Sequence, residues 1–341
     1  MSIPALRPGD RTPNLTFPDL KGQTRQLYLE VRGGPILVAA TPLPNDGEGR
    51  RILAALGKHS DRLDKLGVHR FALMRREPTG QMDPGALVMI DPYGDGMRLF
   101  RPLPEGSEDD AARPAAAVAV LDANQRVISV FTTETSRDPV SDAVKVLEVE
   151  AKAASTGAER LVRAAPAMIL DRLLTDELCD LLIERWKTDN LEGTVNDGFR
   201  NVTDETLKRT REHVVADPDL QRTIAEQIGP RVMGEIQKAF NFRHPLRFET
   251  LTVIGYADAR KDFFAPHRNS LRAEQRRRFA VCLNLNDDYD GGELVFPEYG
   301  PHRYTPSKGA GAVFGCEILH EAKPVTRGQR WVLTTFLIDP K

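Results

Sequence analysis

Apolar and polar positions follow two different regimes along the chain. Up to about residue 153, short apolar runs alternate with segments of helical spacing. Gly34-Pro35 opens a continuous apolar run at 36–40, the composition of a strand buried on both faces. Residues 50–66 set Ile52, Leu53, Leu56, Leu63 and Leu66 near helical spacing, which predicts a helix. Strands are expected at 71–74 and 86–90, the second stopped by Asp91-Pro92. A hairpin of 116–121 and 127–132 turns at Asp122-Ala123-Asn124, and a closing helix is expected over 140–153. Strand and helix in alternation predict an α/β layered fold. Residues 151–165, rich in alanine and charge with little periodicity, read as a linker or linker helix.

The second regime is different. A short strand at 166–170 and a helix at 175–187 come first, with Thr175 or Asp176 as N-cap and Leu178, Leu181, Leu182 and Trp186 on one face. More helix is expected within 217–240. Then short strands dominate: 246–256, 279–285, 293–297, 302–305, 311–315 and 331–338. Asp290-Gly291-Gly292 and Ser307-Lys308-Gly309 read as turns between them. Many short strands at this spacing predict a barrel or jelly roll with the helices packed outside. The expected domains are 1–155 and 156–341.

Composition narrows the function classes. At 341 residues, with 40% hydrophobic and 28% charged, the chain is of ordinary globular type, which argues against disordered, collagen-like and coiled-coil classes. Lys+Arg of 47 against Asp+Glu of 49 leaves a net charge of −2, so charge gives no reason to expect nucleic acid or an anionic membrane as partner. No leader segment and no long apolar span are visible, and a cytoplasmic location is expected. The three cysteines, Cys179, Cys282 and Cys316, are too scattered for a disulfide framework or a zinc knuckle, and all lie in the second half.

The segment GDRTPNLTFPDLKGQTRQL, residues 9–27, resembles the opening of a peroxiredoxin domain, and AVAVLDANQRVISVF resembles the late strand, turn and strand of that fold. The resemblance implies a thioredoxin-like N-terminal domain. Peroxiredoxins act through a cysteine thiolate at the start of the helix after the first buried strand. Here that stretch is TPLPNDGEGRR, residues 41–51, without cysteine. The expectation is a redox-silent scaffold for packing, homodimerisation or docking.

Two of the seven histidines form a pattern with one arginine. His267 stands in Pro266-His267-Arg268-Asn269, His320 follows Ile318-Leu319, and Arg330 comes ten residues after His320. A non-haem iron(II) site needs two imidazoles and a carboxylate on one face of the metal, leaving positions open for cosubstrate and dioxygen. An arginine fork fits the distal carboxylate of 2-oxoglutarate. The stretches TVIGYADARKDFFAPHRN (252–269), FAVCLNLNDDYDGGELVFPEYG (279–300) and LHEAKPVTRGQRWVLTTFL (319–337) resemble the 2-oxoglutarate- and Fe(II)-dependent dioxygenases of the prolyl 4-hydroxylase type. The resemblance implies an α+β double-stranded β-helix (jelly-roll) C-terminal domain that hydroxylates an unactivated C–H bond. Its substrate would be an amino acid, a peptide or another small molecule. His267 and His320 are then metal ligands. Arg330, Asn284 and Tyr256 face the cosubstrate, and Phe263 and Phe264 line the substrate pocket. Fe(II) and 2-oxoglutarate are the implied cofactors, with ascorbate as a candidate reductant.

One position departs from the pattern. The family reads His-x-Asp, and this chain has His267-Arg268-Asn269. An amide oxygen can ligate iron as a neutral, weaker donor. Alternatively the carboxylate is simply missing and water or an anion takes its place, as in the related halogenases, or the site is disabled. A non-catalytic binding module is the competing class. The sequence alone leaves these readings open. His59, His69, His213, His244 and His302 read as structural, as do Cys282 and Cys316. The run Arg272, Arg276, Arg277, Arg278 reads as a solvated face or an attractor of acidic substrate.

Overall fold

The computed structural model describes residues 5–31, 33–79, 83–100, 116–154, 163–196, 201–269 and 276–340. The chain divides into two compact units, Met1–Ala158 and Glu159–Lys341.

In the first unit the expected apolar runs form one five-stranded sheet. Its order is Leu87–Ile90, His69–Met74, Ile36–Thr41, Ala117–Leu121, Val127–Thr132. The first three strands are parallel, and the other two join in antiparallel pairing. Both faces are covered, which is why Ile36–Thr41 is buried along its whole length. Leu37, Ala39, Val118 and Val120 pack under the helices Gly47–Lys58 and Pro139–Ala154. Ile36, Val38 and Ala40 meet Leu27, Met97 and Phe100 on the other side. The fold is thioredoxin-like. The helix expected over 50–66 is interrupted at His59, which ends Gly47–Lys58 and begins Ser60–Lys65 at φ −93°, ψ 3°. Of the linker expected at 151–165, residues 151–154 continue the helix and 155–162 lie outside the described residues.

The second unit is a jelly roll of two main sheets, with two short two-stranded ladders beside them. The larger runs Ala167–Leu170, Gly311–Gly315, Arg277–Asn284, Gln329–Ile338, Thr252–Ala257, Arg211–Val214, Leu191–Glu192, with Arg247–Phe248 beside the long Gln329–Ile338 strand. The smaller runs Lys208–Arg209, Phe263–His267, His320–Ala322, Leu294–Val295, Arg303–Tyr304. Helix Asp176–Thr188 starts at Thr175, whose Oγ1 accepts from Leu178 N at 3.3 Å. Helix Pro218–Phe240 starts at Asp217 and stops at Asn241, left-handed at φ 50°. Both bury an apolar face (Leu182, Trp186, Ile224, Val232) on the outer side of the larger sheet, against Val281, Leu283 and Leu333. The inner side, with Ile254, Tyr256 and Val332, meets Phe264 and Ala322 of the smaller sheet.

Differences from the expected strands have local causes. The strand expected at 246–256 is split into Arg247–Phe248 and Thr252–Ala257. That expected at 293–297 shortens to Leu294–Val295, because Pro297 has no donor for the ladder and opens the 3-10 turn Pro297–Tyr299. The strands at 208–214, 263–267 and 320–322 carry charge, proline and histidine, so hydrophobic alternation did not announce them. Among the described residues, no helix is long and apolar enough to cross a membrane.

Candidate active site

The two patterned histidines face each other across an antiparallel pair: His267 is the register partner of His320. Their ring centroids are 4.2 Å apart. Each ring is oriented the same way, with Nδ1 2.9 Å from a backbone carbonyl, Ala265 O for His267 and Ile318 O for His320. A carbonyl only accepts, so Nδ1 carries the proton and Nε2 keeps its lone pair. Ligating histidines take this arrangement. Burial pushes His267 down to about 3, with His320 beside it adding to the effect. Burial likewise pushes His320 down to about 4. Both imidazoles are therefore neutral donors near neutral pH.

Asn269 closes the group. Its backbone N–H donates to Cys316 O at 2.9 Å, and its side-chain Nδ2 stands 3.3 Å from His320 Nε2. A half-turn about Cβ–Cγ would exchange Nδ2 for Oδ1 at that spot. Among the described residues, no three His, Cys, Asp or Glu side chains stand together as a metal-binding group. Two imidazoles and one amide are the donor set present.

Arg330 lies 5% exposed on the long strand, cross-strand from Tyr256. Nη1 donates to Gly292 O at 2.8 Å, and Nη2 donates to Asn284 Oδ1 at 2.8 Å. Asn284 is in turn held by donating Nδ2 to Tyr289 Oη at 2.8 Å and to Pro306 O. Its hydrogen-bond acceptors are all neutral, and the Glu293 carboxylate feels its charge without a hydrogen bond to it, so an incoming carboxylate could pair with the guanidinium directly. Tyr256 and Tyr289 flank the guanidinium at 5.7 and 5.8 Å. Burial holds the Tyr256 phenol well above its ordinary value.

His267, Asn269, His320, Arg330, Tyr256 and Phe264 all line one cavity of about 1050 Å³ between the two sheets. Asn284 and Phe263 do not line it. Asn284 stands behind Arg330 as its support, and the Phe263 ring lies under the Arg209 guanidinium at 5.8 Å. Lining residues that sequence reasoning missed include Lys208, Glu212 and Glu249. In sequence, 208–214 looks like a solvated charged stretch; its alternation puts Lys208, Glu212 and Val214 on the cavity side. Arg277 also lines the cavity, paired with Glu249 at 2.6 Å, while Arg278 pairs with Asp339 and Arg272 lies outside the described residues. Cys282 lines the wall with its thiol pushed up to about 11 by burial. The remaining histidines make local contacts, for example His213 Nδ1 with Asp189 O at 2.7 Å and His302 Nε2 with Arg163 O at 3.0 Å.

No family model matches the chain. A PKHD-type hydroxylase of Stenotrophomonas maltophilia is 30% identical over 115 residues, 29% of this chain and 51% of that protein. One from Hyphomonas neptunium is 32% identical over 123 residues, 31% of this chain and 54% of that protein. The probable prolyl 4-hydroxylase 9 of Arabidopsis thaliana is 29% identical over 209 residues, 51% of this chain and 68% of that protein. The C-terminal half is similar to the prolyl 4-hydroxylase-type oxygenases. The chain spans about half the length of the bacterial relatives it matches. Among solved structures, the viral collagen prolyl hydroxylase of Paramecium bursaria Chlorella virus-1, in complex with 2-oxoglutarate, aligns with TM-score 0.40 at 15% identity, covering 52% of this chain and 98% of that one. A peroxidoxin of Mycobacterium tuberculosis aligns with TM-score 0.35 at 17% identity, covering 42% of this chain and 97% of that one.

Proposed function

We propose that the C-terminal unit is a 2-oxoglutarate- and Fe(II)-dependent oxygenase that hydroxylates a C–H bond of an amino-acid, peptide or other small-molecule substrate. The observation that carries this is the cross-strand pair His267 and His320, each with Nδ1 on a backbone carbonyl, in the same cavity as the buried Arg330. The donor set suits the metal: two neutral imidazoles and an amide that can turn its oxygen inward. Bound together, Fe(II) and 2-oxoglutarate would supply an oxidative decarboxylation in which dioxygen is the oxidant, one oxygen atom going to succinate with loss of CO2 and the other to the substrate C–H bond, with ascorbate as a reductant for the iron.

The chain's own residues do the rest. His267, His320 and Asn269 hold the metal. Arg330 takes the distal carboxylate of 2-oxoglutarate with donors not used on Gly292 and Asn284, and Tyr256 walls that end. Ile254, Val332 and Leu294 keep water from the reacting bond. Asn269 has nearly the volume of aspartate, so it does not vacate a ligand position for a halide. That favours the amide-donor reading over halogenase-like chemistry. Its missing charge weakens metal affinity relative to a carboxylate.

A non-catalytic binding module is the second reading, and the lack of a three-residue His, Cys, Asp or Glu group among the described residues is what favours it. The N-terminal unit, without a thiol, would serve as a scaffold for homodimerisation or docking, in a reducing cytoplasm that suits Fe(II) and the free cysteines.

The test is succinate formation from 2-oxoglutarate. It should require Fe(II), fall to background in His320→Ala and Arg330→Ala, and rise in Asn269→Asp. Equal turnover in parent, His320→Ala and Arg330→Ala would remove the site assignment.

A further inference from the structure

The cavity wall holds a second buried cation. Lys208 is 7% exposed and is the cross-strand partner of Phe264. Its Nζ donates to Thr194 O at 3.1 Å, pairs with Glu212, and stands 4.7 Å from the Phe264 ring centroid. The same ring lies flat on the His267 imidazole, centroids 3.5 Å apart and planes within 11°. An imidazole at that distance covers one face of the ring, so the ammonium takes the other. Lysine, phenylalanine and histidine form three layers.

This stack is not what a regular strand would give. Residues 264 and 267 are an odd number apart, so their side chains should point to opposite faces. The pairing with His320–Ala322 shifts register between Phe264 and His267, and that bulge brings both rings to the cavity side. Pro266 sits inside it, where no ladder donor is needed.

The hydrogen bond of His267 Nδ1 to Ala265 O holds one edge of the imidazole. It leaves the ring free to pivot about that edge. A flat aromatic neighbour removes the pivot, but only if the neighbour is itself fixed. Phe264 also touches the apolar cluster of Ile254, Tyr256, Val325 and Val332, into which it could lean. The ammonium gives the ring a second fixed contact beside that cluster, because a desolvated cation is drawn to the face of an aromatic ring.

We propose that Lys208 is a positioning residue for His267: through Phe264 it fixes the plane of the imidazole and hence the direction in which Nε2 meets a metal ion. This rests on the assignment of His267 as a metal ligand.

The test uses Co(II) as a visible probe on the full chain, reading its affinity and its d–d absorption. Lys208→Met combined with Glu212→Gln removes both charges, so no carboxylate is left buried alone. Phe264→Leu removes the middle layer. Each should raise the Co(II) dissociation constant about ten-fold, the usual scale for groups that orient a ligand. Each should also alter the d–d band, while Lys208→Arg, which keeps a cation on the ring, restores both. Thermal unfolding of the metal-free proteins identifies any variant that fails to fold, and the other variant then carries the test. Parent-like affinity and spectrum in the folded variants would overturn the role of Lys208 while leaving the metal site standing. A parent that binds no Co(II), or binds it equally well as His320→Ala, removes the metal assignment and this inference with it.

Discussion

His267 and His320 contribute to the acid sensitivity of the fold. Their folded values, about 3 and about 4, lie below the 6.5 of a free imidazole because burial disfavours the charged form. As pH falls below 6.5 the unfolded chain takes up these protons first, so the native state loses stability progressively toward 4 and 3. Metal-free protein should therefore show a falling thermal midpoint across that window, with a shallower fall in His320→Gln. Parallel profiles for parent and variant would mean that the imidazole is not buried as described. The same two residues, with Arg330, stood out in the sequence through the resemblance to the dioxygenase motifs, and all three line one cavity. Asn284 was expected to face the cosubstrate, and it stands behind Arg330 instead. Its acceptor faces Arg330, because a buried guanidinium needs acceptors wherever the backbone cannot supply them.

At the scale of elements, the site depends on how the outer helix meets the sheet. Gly255, on the strand that carries Tyr256, lies against Trp186 of helix Asp176–Thr188. A Cβ there would stand 2.4 Å from the indole ring. Gly255→Ala should cost on the order of 1–3 kcal/mol by overpacking, measured by denaturant unfolding. A neutral result would show that the helix docks elsewhere. The glycine turn 290–292 has a parallel role. Gly292, at φ 65°, brings its backbone close enough for its carbonyl to accept from Arg330, where a Cβ would stand 3.0 Å from Arg330 Cδ. This turn and the apolar strands were readable from local chemistry. The bulged strand Phe263–His267 was not, since its shape comes from pairing with a segment more than fifty residues away.

Across the whole molecule, the three cysteines fall in one half. The thioredoxin-like unit has a complete two-sided core but no cysteine. All three thiols belong to the jelly roll, and burial raises each of them: Cys179 and Cys316 to about 12, Cys282 to about 11. None is poised as a nucleophile. Both fold classes could be read from the sequence, because strand and helix alternate before residue 155 and short strands dominate after residue 246. The substrate was not readable, since a cavity of about 1050 Å³ is assembled from several separate strands and its shape exists only after folding. That cavity, with Arg330 at one position and the histidine pair at another, bears the central functional claim. Anaerobic titration of Fe(II) into the full chain with 2-oxoglutarate tests it most directly. A weak visible charge-transfer band saturating at one iron per chain, lost in His320→Ala, is the expected result. No band and no measurable metal affinity in the parent protein would contradict the account.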